Sequence, residues 1–185
     1  MGRWQPDAQE RMTHAAMELF AERGFTQTTA GDIAERAGVT ERTFFRYFAD
    51  KREVLFDGSE TMTRTAYDAI AAAPRDASPL EAALAGMAAA ADLLEERRDF
   101  AVRRARIIEA TPTLKERELL KLAAMTDAVA EALDARGVTE PTASLAARSA
   151  VSVFHVAFAQ WVSARRPARL AAGIAETAKA LRAVT

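Results

Sequence analysis

The sequence predicts an all-α protein. Apolar residues recur three and four positions apart through most of the chain, and no segment alternates cleanly with period two. The six prolines, Pro6, Pro74, Pro79, Pro112, Pro141 and Pro167, all fall where a helix would open or where two would be joined. Alanine clusters at 82–91 and 171–180 resemble low complexity, but alanine is the best helix former and lets helices pack closely.

Reading between the punctuation marks gives about nine helices. The first spans 8–23, with Met12, Ala16, Leu19 and Phe20 on one face, and stops at Gly24. Two short helices follow at 30–37 and 41–48. A long helix from Lys51 to the 71–73 region is expected next, ended by the Pro74–Pro79 link. The remaining helices are placed at 79–96, 99–110, 113–136, 141–165 and 168–183, with Pro112 and Pro141 opening two of them and Gly137 ending a third.

Composition sets outer bounds on function. A chain of 185 residues, 50% hydrophobic and 28% charged, has the make-up of a soluble globular protein with a real core. Lys plus Arg number 25 against 26 for Asp plus Glu, which excludes a strongly basic nucleic-acid coat but leaves room for a local basic patch. With no cysteine there is no disulfide, thiolate zinc site or thiol nucleophile, and His14 and His155 alone leave little for a metal site or a histidine relay. The opening MGRWQPDAQE lacks the apolar core of a secretory signal, and no window reaches about 18 consecutive apolar residues. These features predict a cytoplasmic protein without metal or cofactor and without a membrane span.

The informative stretch is Thr29 to Lys51, TAGDIAERAGVTERTFFRYFADK. Two short helices flank Gly38 and Val39. Ala34 lets the helices cross closely, Gly38 suits a sharp turn, Ile33, Val39 and Phe44 fill the angle, and Thr40 is a fitting N-cap for the second helix. That spacing is a helix-turn-helix, whose second helix lies in the DNA major groove. With Phe44 inward, Arg42 and Arg46 lie about 160° and 200° around the helix, with Thr43 and Phe45 flanking them. Arginine can pair bidentately with guanine, and a phenyl ring or threonine methyl can touch the thymine methyl. Tyr47 stands to one side and Lys51 follows, both placed to hold a phosphate.

The run from Ala15 to Phe56, AAMELFAERGFTQTTAGDIAERAGVTERTFFRYFADKREVLF, resembles the amino-terminal domain of the TetR family of bacterial transcriptional regulators. Leu19-Phe20, Gly24-Phe25, Thr28-Thr29, Ile33-Ala34, Ala37-Gly38-Val39, Thr43, Tyr47-Phe48, Lys51 and Leu55 carry the likeness. The resemblance implies a three-helix DNA-binding domain, residues 1–52, and an all-helical effector-binding and dimerisation domain, residues 53–185. It implies a homodimer on a near-palindromic operator, usually a repressor, released by a small-molecule effector. Its DNA-contacting positions fall here on Thr29, Arg42, Thr43, Phe45, Tyr47 and Lys51. Phe45 lacks the hydroxyl that many members carry, and Gly31 replaces a longer DNA-reaching residue, so readout shifts toward Arg42 and Arg46.

Beyond residue 57 the family diverges and the chain is read from its own pattern. Val151 to Val162, VSVFHVAFAQWV, is apolar almost all round, so one face should meet the core and another a partner. Together with the last helix it resembles the helix pair of the family's dimer interface, with Phe154, Phe158 and Trp161 as its large side chains. A central core helix of a monomer is the alternative. His155 reads as a hydrogen-bonded core or interface residue, with effector contact as the alternative. Among Arg97, Arg98, Arg103, Arg104 and Arg106, set between Glu95, Glu96, Asp99 and Glu109, paired surface charge is the plain reading. Phe100, Arg104 and Ile108 share one face, which allows an effector pocket whose arginine receives an acid or phosphate head above an apolar body, such as a fatty acyl derivative. An enzyme is disfavoured, because neither a phosphate loop nor metal-ligand spacing accompanies the scattered carboxylates. A helical interaction module without DNA binding is the remaining competitor, and it would show only weak, sequence-blind affinity for DNA.

Overall fold

A computed structural model describes residues 7–183, which leaves Pro6 and the reading of the first residues outside the described part. Among the described residues the chain forms nine α-helices and no strand: α1 (Ala8–Arg23), α2 (Ala30–Arg36), α3 (Glu41–Tyr47), α4 (Ser59–Ala72), α5 (Pro79–Glu95), α6 (Arg98–Glu109), α7 (Pro112–Ala135), α8 (Thr142–Ser163) and α9 (Leu170–Arg182). Boundaries depart from the sequence reading by a residue or two at most ends, the usual fraying of helix termini.

One element differs in kind. In place of a continuous helix from Lys51, a 3₁₀ turn spans Glu53–Phe56 and the chain breaks before α4. The Asp50 carboxylate accepts the backbone N–H of Arg52 at 2.7 Å, turning the chain locally. Gly58 then takes a left-handed conformation, φ 87°, that other residues enter only at a cost.

The chain divides into two compact units. The first joins the amino-terminal stretch up to Asp57 with Arg103–Glu118; the second holds Gly58–Val102 and the chain from Leu119 onward. The first break between the units falls after Asp57, five residues beyond the boundary expected at residue 52. Val54, Leu55 and Phe56 are buried, and the tail of α6 and the head of α7 are tied to their turn. Arg104 donates to the Leu55 carbonyl at 2.5 Å, pairs with Glu118 at 2.9 Å and lies 4.9 Å over the Phe56 ring. Arg117 pairs with Glu53 at 2.7 Å.

In the first unit Met12, Ala16, Leu19 and Phe20 of α1 are buried, as the spacing predicts. Full burial of a side chain such as Met12 or Phe20 contributes about 1.5–3 kcal/mol. Arg36 of α2 reaches back to Glu18 and Glu22 of α1, and Arg11 donates to the Ala37 carbonyl at 3.1 Å. These contacts set the angle at which α2 leaves α1.

The second unit has a core dominated by alanine, with Ile70, Met87, Leu133, Phe154, Trp161, Leu170 and Ile174 as its larger members. Small side chains let α4 and α5 approach until Gly86 lies against Ala66 and Ile70. Ser78 opens α5 with a reciprocal cap to Glu81, one residue ahead of Pro79. Arg136 closes α4 by donating to the carbonyls of Ile70, Ala73 and Pro74. By length and composition α8 could cross a membrane, but its apolar side is packed into this core.

Candidate nucleic-acid interface

The helix-turn-helix is built from α2 and α3. Thr29 caps α2: its hydroxyl oxygen accepts the Asp32 N–H at 3.1 Å, while the Asp32 carboxylate accepts the Thr29 N–H at 2.7 Å and its hydroxyl at 2.6 Å. Arg23 adds an ion pair at 2.7 Å. The Thr29 hydroxyl and N–H, with Arg23 behind them, hold the Asp32 carboxyl down to about 2.

The turn follows from backbone bonding. Gly38 sits at φ 68° and donates to the Glu35 carbonyl at 3.0 Å, while Val39 donates to that of Ala34 at 2.9 Å. Thr40 then caps α3 by accepting the Thr43 N–H at 3.2 Å. Phe44 is fully buried and meets Phe48 at 5.4 Å, which fixes the rotation of α3.

That rotation decides what α3 shows to solvent. Arg42, Phe45, Arg46 and Tyr47 are exposed and Thr43 is half-buried. Phe45, 51% exposed, stands edge-on to Phe44, a large apolar surface left in water that a thymine methyl would cover. The Arg46 guanidinium lies 5.0 Å over the Tyr47 ring, so two predicted contact residues support each other's geometry. Thr29 lies at the head of α2, exposed, with its hydroxyl engaged by Asp32.

Lys51 occupies a different place from the one its sequence position suggests. Its ammonium donates to the carbonyls of Phe25 at 2.8 Å and Thr28 at 2.7 Å, and stands 4.4 Å over the Phe25 ring. Burial pushes its pKa down, against the pull of Asp32 and Asp50. Lys51 therefore braces the loop from α1 to α2. Its partners lie 23 and 26 residues upstream, and no local pattern in the sequence reports them.

The expected effector residues are dispersed. Ile108 is buried and Arg104 half-buried in the first unit, where Arg104 is committed to Leu55, Glu118 and Phe56. Phe100 belongs to the second unit, half-buried beneath the Arg97 guanidinium, and His155 is exposed on α8. The residues expected at a dimer interface lie on the side of α8 that meets the core of their own unit. Phe154 and Trp161 are buried in the core of their own unit, with Phe158 half-buried and stacked 6.0 Å from Phe154. The face of α8 left to solvent carries Leu145, Ser152, His155, Val156 and Ala159, with Leu145 62% exposed. Among the described residues no group of three or more histidines and carboxylates is arranged to hold a metal ion.

The sequence model of the family described as bacterial regulatory proteins, tetR family, matches residues 13–57, the span of α1 through the 3₁₀ turn. MftR of Mycobacterium tuberculosis, named as a transcriptional regulator of mycofactocin biosynthesis, is 41% identical over 54 residues, 29% of this chain and 27% of its own. The HTH-type transcriptional regulator TcmR of Streptomyces glaucescens is 36% identical over 73 residues, 40% and 32% of the two chains. This chain thus matches about a third or less of the length of these relatives. The crystal structure of FadR from Thermus thermophilus, a TetR family transcriptional repressor in complex with lauroyl-CoA, shares the fold over 94% of this chain and 92% of its own, with a TM-score of 0.58 and 24% identity. Through residues 13–57 this chain is thus similar to the bacterial regulatory proteins of the tetR family.

Proposed function

We propose that the chain is a transcriptional regulator that binds a near-palindromic DNA operator as a homodimer, represses from it, and is released by a small-molecule effector in the cytoplasm. The observation that carries this reading is the outward face of α3. Two arginines and two aromatic rings project from a helix whose opposite side is locked by Phe44 and Phe48. Arg42 and Arg46 read base edges, Phe45 and Thr43 contact thymine methyl groups, and Thr29 and Tyr47 meet phosphates. Lys51 serves this surface from behind, by holding the loop that feeds α2.

A dimer supplies the geometry that the operator demands, since two recognition helices about 34 Å apart need a two-fold axis. The exposed apolar side chains of α8, Leu145 and Val156, suit the partner surface better than the buried aromatic ones. For the effector, lauroyl-CoA in the Thermus thermophilus neighbour supports an apolar, acyl-type ligand. The chemistry is recognition and no catalytic step is assigned to the chain.

Selection of bound sequences from random DNA, with and without fatty acyl-CoA, tests the whole reading. A recovered inverted repeat whose enrichment falls when acyl-CoA is present supports operator, dimer and effector together. Failure to enrich any sequence at physiological salt overturns it in favour of an interaction module.

A further inference from the structure

Arg104, the arginine that the sequence offered as an effector ligand, is spent within the first unit, and a different arginine in the second unit has the required character. Arg98 opens α6 and closes α8. Its Nη2 donates to the carbonyls of Trp161 at 3.2 Å and Ala164 at 2.9 Å, and its guanidinium lies 5.2 Å over the Trp161 ring. Two further donors at this place, Nε of Arg98 and Nε1 of Trp161, are buried without any acceptor. Trp161 itself is only 4% exposed.

Both groups can only donate, so the missing partner is an acceptor, and beside a guanidinium a negatively charged one is favoured. Two acids of the preceding helix are engaged elsewhere: Glu95 accepts the backbone N–H of Leu170, and Asp92 pairs with Arg169 at 2.7 Å. From Trp161 an aromatic row runs back along α8 through Phe158, 6.0 Å away, to Phe154. The site thus couples a guanidinium and a neutral indole N–H to an aromatic row. We infer that Arg98 and Trp161 form the head-group site for an effector bearing a carboxylate on an apolar body, the body lying along Phe158 and Phe154. This rests on the reading of the chain as an effector-responsive regulator and gives that effector a place and a charge.

The indole is its own reporter. The chain holds two tryptophans, Trp4 and Trp161, so Trp4→Phe leaves Trp161 as sole emitter. Full-length protein carrying that change is titrated with decanoate below its micelle concentration, and with 1-decanol as the uncharged match. Decanoate should change Trp161 emission saturably and decanol at least tenfold more weakly. Calorimetry on Trp161→Phe, which keeps an aromatic ring but removes the N–H, and on Arg98→Gln should show decanoate affinity at least tenfold lower. Thermal melting of each variant identifies any that has lost its fold, and Trp161→Phe then carries the comparison for Arg98→Gln. Equal response to decanol and decanoate, no emission change with decanoate, or undiminished affinity in a folded Trp161→Phe variant overturns the inference. Operator selection on the same protein separates the two readings. A recovered palindrome with no decanoate response removes the head-group site alone, whereas decanoate binding without any DNA preference retains the site and removes the regulator.

Discussion

Replacing Lys51 by methionine separates two roles that the sequence alone merges, phosphate contact and internal brace. Methionine keeps most of the apolar stem and removes the ammonium, and with it the bonds to the Phe25 and Thr28 carbonyls at 2.8 and 2.7 Å and the contact with the Phe25 ring. A hydrogen bond to a charged group contributes about 1.5–3 kcal/mol. The site is half-buried, and removing the ion also removes the desolvation that lowers its pKa, so the net loss should match one such bond rather than two. At about 2–4 °C per kcal/mol for a chain of this size, the melting temperature should fall by about 3–12 °C. Operator affinity measured across a salt series should weaken while its logarithmic salt slope stays that of the parent. A phosphate contact behaves in the opposite way, lowering the slope by about 0.9 and leaving the melt unchanged. A Lys51→Met protein that melts like the parent and shows that lower slope would refute the brace.

Other consequences concern readout, packing and pH. Arg42→Ala and Arg46→Ala should each cost about 1–3 kcal/mol of operator binding and relax preference at one base position, visible in competition binding with single-base operator variants. Two glycine-to-alanine changes should have opposite signs in thermal melting. At Gly86 the new Cβ would meet Ile70 Cγ1 at 2.7 Å and the Ala66 carbonyl at 2.8 Å, destabilising by about 1–3 kcal/mol. At Gly173 it would meet only Ala157 Cβ at 3.9 Å, so the helix gains about 0.5–1 kcal/mol. Asp32, held at about 2 in the folded chain against an ordinary 3.8, stabilises it above about pH 4 and loses that contribution as pH falls toward 2. Asp32→Asn should flatten the stability profile across that window and leave its shape at neutral pH unchanged.

The amino-terminal helices were legible because their signals are local. Gly24, Thr29, Gly38 and Thr40 each mark a helix end by their own backbone or capping chemistry, and the step from Phe44 to Arg42 and Arg46 follows from helical rotation alone. The break at Gly58 was equally local, in an Asp-Gly pair that helical periodicity on either side overrode. Elsewhere the deciding partners are remote. Five arginines between Arg97 and Arg106 look alike in sequence, yet Arg104 is engaged by a turn 49 residues away and Arg98 by a helix end 63 residues away. On α8, apolar residues occupy nearly every position of one stretch, so periodicity does not say which half meets the core. The neighbouring α5 and α9 decide it, and they take Phe154 and Trp161 inward.

Charge near the helix-turn-helix follows a division of labour that the net value of -1 conceals. Arg23 is paired to Asp32, Arg36 to Glu18 and Glu22, and Arg52 to Asp50, so these cations stabilise local geometry and add little to the outer field. Arg42 and Arg46 instead project from α3 toward solvent, close to Phe45 and Tyr47. Sequence-independent attraction to DNA grows with each phosphate neutralised, and a helix-turn-helix region that holds Arg23, Arg36 and Arg52 in internal pairs has fewer cations to offer. On the proposed reading, binding strength comes from seating α3 in the groove, where the two arginines would meet base edges and Phe45 would lose its contact with water. Such a protein should bind random DNA weakly, and any shift in the angle between α2 and α3 should reach affinity directly, through the contacts proposed to carry the sequence preference.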